Sequence, residues 1–273
     1  MLGAAALLRI PSLLWEGNLV PGRSTRLTAR LATVISTSFG ATCRALGGDC
    51  HVTGTPIRSL AGIERDAARA HFEAGPDEPV VLVFGGSQAV ARFDAAVGEA
   101  LPQLVERALV LHVTGDRSYA EALRRREALP PERRRRYRPY PFLRDEMGEA
   151  LLAADLVVGR AGSSTLAEAT AVGLPLVVVP YPHAAGHQRA NARALAEAGA
   201  AVLIADEQFD GAALLRALAI LDDAPRLATM RAASRELGRP GAAAANAAIV
   251  LALGARTALP DGPQLDRLAR GLV

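Results

Sequence analysis

Three short segments hold the residues best suited to chemistry, and each follows an apolar run. The first is Phe84-Gly85-Gly86-Ser87-Gln88. Paired glycines let a ligand approach the backbone, and the free N–H groups of a following helix favour a phosphate. Ser87 adds a hydroxyl donor. The same residues also make a tight strand-to-helix turn with Ser87 as its N-cap, and both readings stand. The spacing is not Gly-x-Gly-x-x-Gly, so a dinucleotide fingerprint is excluded.

The second segment is Gly159-Arg160-Ala161-Gly162-Ser163-Ser164-Thr165-Leu166-Ala167-Glu168. Thr165 and Glu168 are three apart and share a helix face. Glu168 is suited to accept both hydroxyls of a ribose beside a phosphate-binding helix start. Thr-x-x-Glu is equally the pattern of a capping box, in which Glu168 only satisfies backbone N–H groups. The third runs from Pro180-Tyr181-Pro182-His183 through Gly186-His187-Gln188 to Asn191. Its His, Gln and Asn side chains offer donors and acceptors suited to sugar hydroxyls, or form plain polar surface. No Asp-x-Asp and no cluster of His and Cys stands ready for a metal, so the site is expected to be metal-independent.

The elements that must position these segments follow from periodicity. Short apolar runs at 80–84, 109–113, 137–140, 156–158, 176–179 and 201–204 read as strands. Helical stretches at 91–107, 119–128, 145–153, 165–172 and 188–198 lie between them. Strands apolar at nearly every position are buried on both faces, which predicts an α/β domain with a parallel, doubly wound, Rossmann-like sheet. Residues 1–57 repeat this grammar in shorter form, with strands at 12–15, 33–38 and 50–53 and a helix at 21–32. The charged stretch 58–77 reads as a connection, 222–254 as helical, and 256–273 as a tail.

Composition narrows the function. With 273 residues, 50% hydrophobic and 22% charged, the chain is globular, and 4% aromatics make its core aliphatic. The net charge of +3 comes from arginine without a single lysine, which reads as compositional drift and gives no support to a nucleic-acid partner. Arg133 to Arg136 either face an anionic surface or form a solvated helix end. Cys43 and Cys50 are too few for a disulfide framework, and reduced thiols are expected. The apolar opening, broken by Arg9 and Pro11, is short for a bilayer span, so any membrane contact is expected from the surface.

Taken in order, these motifs resemble the MurG family of glycosyltransferases. The pattern comprises Gly-Gly-Ser-Gln at 85–88, Phe142-Leu143-Arg144-Asp145-Glu146-Met147, the Arg160 to Glu168 segment and the His183 to Asn191 segment. Upstream, Trp15-Glu16-Gly17-Asn18-Leu19-Val20-Pro21-Gly22 and Gly54-Thr55-Pro56-Ile57-Arg58 match two further family motifs. The resemblance implies a GT-B fold: a complete Rossmann-like C-terminal domain plus the remnant of an N-terminal one. Residues 1–58 would be the remnant of the acceptor domain, 59–240 the UDP-sugar domain, and 241–273 a helix returning to the first domain with a tail. It implies inverting, metal-independent transfer of N-acetylglucosamine from UDP-N-acetylglucosamine to a lipid-linked muramyl-pentapeptide. No cofactor is implied.

By the same resemblance Leu143 would meet the uracil through its backbone and Ser87 the diphosphate. Ser163, Ser164, Thr165, Leu166, Ala167 and Glu168 would wrap phosphate and ribose, with Glu168 on the ribose hydroxyls. Gln188 would bind the sugar, while Asn18 and Arg58 would close the site. The implied location is cytoplasmic, peripheral on the inner face of the bacterial membrane. The family's glycine-rich loop with its His has no counterpart here, so no catalytic residue is assigned. The alternative is a donor-binding subunit, or a catalytically dead UDP-sugar binder, needing a separate acceptor-domain chain.

Overall fold

The computed structural model describes residues 1–85, 91–184 and 186–272. Two parallel sheets are built in succession. The first holds β1 (Leu13–Glu16), β2 (Val34–Thr37) and β3 (Cys50–Val52) in that order. Around it lie α1 (Leu2–Leu7), α2 (Arg23–Thr28) and α3 (Gly40–Leu46). A further helix, α4 (Arg65–His71), occupies the stretch that reads as a charged connection. Its charges are structural: Arg65 and Arg69 both pair with Asp155, which also receives Arg231.

The second sheet has six strands: β4 (Val80–Phe84), β5 (Leu109–Val113), β6 (Tyr137–Tyr140), β7 (Leu156–Gly159), β8 (Leu176–Val178) and β9 (Ala201–Leu203). Their spatial order is β6-β5-β4-β7-β8-β9, all parallel. Strand order reverses between β4 and β7, the switch point at which ligands bind in doubly wound sheets. The crossover helices are α5 (Ala91–Arg107), α6 (Asp116–Ala128), α7 (Met147–Ala153), α8 (Ser163–Ala171) and α9 (His187–Glu197). One face of the sheet packs on Phe93, Val97, Leu104, Phe209 and Leu214, the other on Phe72, Leu151, Leu166 and Leu195. Every residue of β4 is buried, as two-sided coverage requires.

Then come α10 (Gly211–Leu218), α11 (Ala224–Leu237), α12 (Ala242–Ala255) and α13 (Gly262–Arg270). Residues 224–255 are long and apolar enough to cross a membrane by length and composition. The helix breaks near Pro240, however, and α12 alone spans only about 21 Å against about 30 Å of hydrocarbon. It returns instead to the first sheet, where Ala245 and Ile249 join Val34, Leu265 and Ala269 in a small core.

Four expectations need correction. Residues 256–273 are not merely a tail: Asp261 and Gln264 cap α13 reciprocally, and Leu265 anchors it in the core. Thr165 and Glu168 form no capping box, because α8 starts two residues earlier with Gly162 as its N-cap. Cys43 and Cys50 are not free thiols but joined, with Cα atoms 5.5 Å apart. Gly47 and Gly48, both at positive φ, turn the chain sharply enough from α3 into β3 to bring them together. The arginine run is half-exposed to exposed, as a solvated end would be, but three of its four guanidinium groups are paired. Arg135 and Arg136 pair with the buried Glu78, and Arg134 pairs with Glu127.

Candidate active site at the sheet switch point

The carboxyl ends of β4 and β7 lie side by side, with Phe84 in register with Gly159. Beyond β4, Gly86, Ser87 and Gln88 lie outside the described residues. Beyond β7, Arg160-Ala161-Gly162 leads into α8. Among the described residues no side chain caps the N-terminus of this nine-residue helix. Its first N–H groups and positive dipole end therefore stand open to an anion. Among the described residues, the hydroxyls of Ser163, Ser164 and Thr165 take no hydrogen-bond partner. Leu166 is buried in the core, so it can serve a ligand only through its backbone.

Glu168 sits one turn further along α8, its side chain 13% exposed. Arg58, from the connection after β3, donates through Nε to Glu168 Oε1 at 2.9 Å and through its other nitrogen to the Arg144 carbonyl at 2.6 Å. The fold thus brings three expected site regions together, namely α8, the loop carrying Leu143, and the connection between the sheets. Leu143 itself is buried, while its neighbour Phe142 is half exposed.

Gln188 lies in the first turn of α9, and its Oε1 accepts the Tyr181 N–H at 2.9 Å, closing the loop between them. Gly186 caps α9 in the left-handed region, at φ 81°, which a side chain would strain. Arg160 is buried beneath this loop. It donates to the Val179 carbonyl, pairs with Asp206, and lies over the rings of Phe93 and Tyr181. It braces the ends of β7 and β8.

Asn18 faces this machinery from the first sheet, but its amide is spent on protein contacts. Its Nδ2 donates to Glu16 Oε1 at 3.0 Å, and its Oδ1 accepts from Asn191 Nδ2 at 3.1 Å. Burial raises the Glu16 pKa, but hydrogen bonds from the Asn18 and Gly22 backbone, the Thr25 hydroxyl and the Asn18 amide outweigh it. The carboxyl is left below its ordinary range. Glu16 is a functional candidate that sequence reasoning passed over, while Asn191, read as a partner for sugar hydroxyls or plain polar surface, is buried and bonded within the protein. Both stand within motifs that were read, yet they are linked only through Asn18, which Glu16 holds and which Asn191 meets across 173 residues, and no local pattern shows that.

Among the described residues no group of three or more His, Cys, Asp or Glu is placed to hold a metal. A cavity of about 70 Å³ lies between the two sheets, lined by Gly17, Ser38, Thr55, Ser163 and Arg239.

Residues 80–246 match the glycosyltransferase family 28 C-terminal domain. A UDP-N-acetylglucosamine–N-acetylmuramyl-(pentapeptide) pyrophosphoryl-undecaprenol N-acetylglucosamine transferase of Desulforamulus reducens is 38% identical over 250 residues, covering 88% of this chain and 66% of its own. The Moorella thermoacetica protein of the same name is 37% identical, covering 91% of this chain and 69% of its own. The crystal structure of MurG from Acinetobacter baumannii superposes with a TM-score of 0.67 at 27% identity, covering 88% of this chain and 67% of that one. The chain spans about two thirds of the length of the curated relatives it matches. A parallel sheet with this switch point, the family domain across it and relatives aligned along nearly the whole chain make this a GT-B glycosyltransferase of family 28, and the chain belongs to the MurG family of N-acetylglucosaminyltransferases.

Proposed function

We propose that this chain binds UDP-N-acetylglucosamine at the β4–β7 switch point and transfers N-acetylglucosamine to undecaprenyl-pyrophosphoryl-muramyl-pentapeptide, with inversion. The single observation that carries this reading is the convergence of an uncapped α8 N-terminus with Glu168, Arg58 and the Arg144 carbonyl. An acceptor hydroxyl attacks the anomeric carbon, the bond to UDP breaks, and the hydroxyl proton passes to a general base. Negative charge grows on the departing diphosphate, where the α8 N–H groups and the Ser163, Ser164 and Thr165 hydroxyls are positioned to receive it. Glu168 takes the ribose hydroxyls, the Leu143 backbone the uracil, Ser87 the diphosphate and Gln188 the sugar. Residues 59–240 form the donor unit in this reading, while 1–58 and 241–273 form the acceptor side.

The acceptor is a lipid, and one surface supports docking at the inner face of the membrane. Leu7, Leu8, Leu27 and Leu31 are exposed where α1 packs beside the turn after α2. Arg23, Arg26 and Arg30 share that segment and pair with no carboxylate among the described residues. Exposed apolar side chains among unpaired cations fit an anionic bilayer surface.

A second reading has its own observation. β1 is an edge strand of its sheet, flanked by a groove of about 390 Å³ lined by Leu8, Ile10, Leu13, Val250 and Leu253. A bare parallel edge beside apolar side chains favours a separate acceptor-domain chain seated there. Calorimetric titration with UDP-N-acetylglucosamine, paired with transfer to a soluble lipid-precursor analogue, separates the readings. Binding with transfer supports the enzyme, and binding without transfer supports the donor half. A folded chain that does not bind refutes both.

A further inference from the structure

We infer that a groove at the rim of the second sheet receives the peptide of the acceptor and holds its terminal carboxylate on Arg189 and Arg193. This rests on the transferase reading above and adds to it a place for the part of the acceptor that makes no new bond. The groove has a volume of about 450 Å³. Tyr181 lines it from the loop after β8, Arg189 and Arg193 from α9, and Glu207 from the segment after β9. Strands β7, β8 and β9 are parallel, so both loops leave the same carboxyl edge as the turn into α8.

Arg189 and Arg193 are four apart and share one face of α9. Both are exposed, and neither makes an ion pair or a side-chain hydrogen bond among the described residues. The nearby carboxylates do not neutralise them. Asp206 is taken by Arg92 and Arg160, and Glu207 lines the groove without pairing to either arginine. Two guanidinium groups suit a carboxylate, whose oxygens accept paired N–H bonds from arginine. Glu207 suits the N–H groups of a peptide and repels a compact polyanion such as phosphate. The walls are already set, which lowers the ordering cost of binding. Gln188 accepts the Tyr181 N–H at 2.9 Å, and Arg160 both supports the Tyr181 ring and pairs with Asp206.

The acceptor supplies the complement and the reach. Its pentapeptide is joined to the muramyl sugar through the amino end, which leaves the terminal carboxylate free. Five extended residues span about 17 Å. The groove lies at β8 and β9, two strand spacings from the switch point between β4 and β7, a distance of about 10 Å. A peptide leaving a sugar seated at the switch point therefore reaches both arginines.

The test titrates N-acetylmuramyl-pentapeptide, free of lipid, into the wild-type chain and into Arg189→Ala/Arg193→Ala, followed by ligand-observed NMR. The Kd should rise about five- to tenfold in the variant, as loss of charge-assisted contacts at an exposed site gives. The same peptide with its terminal carboxylate amidated should bind wild type that much more weakly and the variant no differently from the acid. The Kd for UDP-N-acetylglucosamine, measured alongside, should stay within about twofold. Equal binding of acid and amide by wild type overturns the inference and needs no variant. So does equal binding of the acid by both proteins, or N-acetylmuramic acid without peptide binding as tightly as the full compound. An equal loss of UDP-N-acetylglucosamine in the variant also overturns it, by making the arginines part of the donor site. A wild-type chain that fails to bind UDP-N-acetylglucosamine refutes the donor reading instead, since the peptide titration contains no nucleotide.

Discussion

Replacing Glu168 with alanine tests the nucleotide assignment most directly. In the free protein Glu168 is held by Arg58 at 2.9 Å, an ion pair whose arginine is 40% exposed. Solvent screening limits such a pair to about 0–1 kcal/mol. Two ribose hydroxyls donating to the carboxylate would contribute about 1.5–3 kcal/mol, as hydrogen bonds to a charged group do. The ligand must first displace Arg58 from at least one oxygen, so the net contribution is about 1–2 kcal/mol. Glu168→Ala should then weaken UDP binding by about 5- to 30-fold. Calorimetry with UDP and 2′-deoxy-UDP isolates the cause, because the deoxy ligand loses affinity only where the carboxylate exists to read the hydroxyl. Wild type should discriminate between the two ligands and the variant should not. Equal affinity for UDP in both proteins, or equal discrimination, would refute the argument that Glu168 reads ribose.

Three further outcomes follow from features described above. Glu16 has a depressed folded-state pKa, so its contribution is present above the unfolded carboxylate value and is lost as pH falls through the folded one. Glu16→Gln should therefore cost about 1–3 kcal/mol at pH 7 and progressively less in acid, read from urea midpoints across that range. Leu214→Ala empties a fully buried position between α10 and the sheet and should cost about 2–5 kcal/mol, with an unchanged denaturant slope. Exchanging Leu27 and Leu31 for serine should reduce co-sedimentation with anionic vesicles without altering UDP binding; undiminished sedimentation would remove this surface from membrane docking.

The parts legible in the sequence are those whose signals are local. β4, β5, β6 and α5 fall where periodicity puts them, because Pro79 and Gly85 punctuate a wholly apolar run and α5 carries a long apolar stripe. α13 carried every local signal, with an aspartate before Pro263, Gln264 three residues on and Gly271 at the end, yet the prolines and glycines of its segment read as a tail. The capping-box pattern that did draw attention, Thr165 and Glu168, is pre-empted by a helix start two residues upstream. α4 was hidden by charge, since two of the arginines that made it look solvated are engaged by Asp155, Arg69 from a buried position and Arg65 from the surface. Glu168 and Arg58, which the resemblance assigns to ribose and to closing the site, meet in the fold, and their direct pairing was not foreseen. Asn18 was expected to face a ligand, and only the folded chain shows its amide given to Glu16 and Asn191.

The return of α12 to the first sheet has a mechanical consequence. The chain passes between the two sheets twice, once after β3 and once between α11 and α12. The crossings touch: Gly54, at φ 90°, is packed so tightly that an added Cβ would meet Arg239 at 2.6 Å. Two straps fastened side by side let a body rock about the line through them but resist swivelling or sliding. Opening and closing of the cleft should therefore follow a single arc pivoting near Gly54 and Arg239, with the greatest travel at the far rim. Substitutions at the pivot would change how fast the jaws move, and those at the rim would change what they hold.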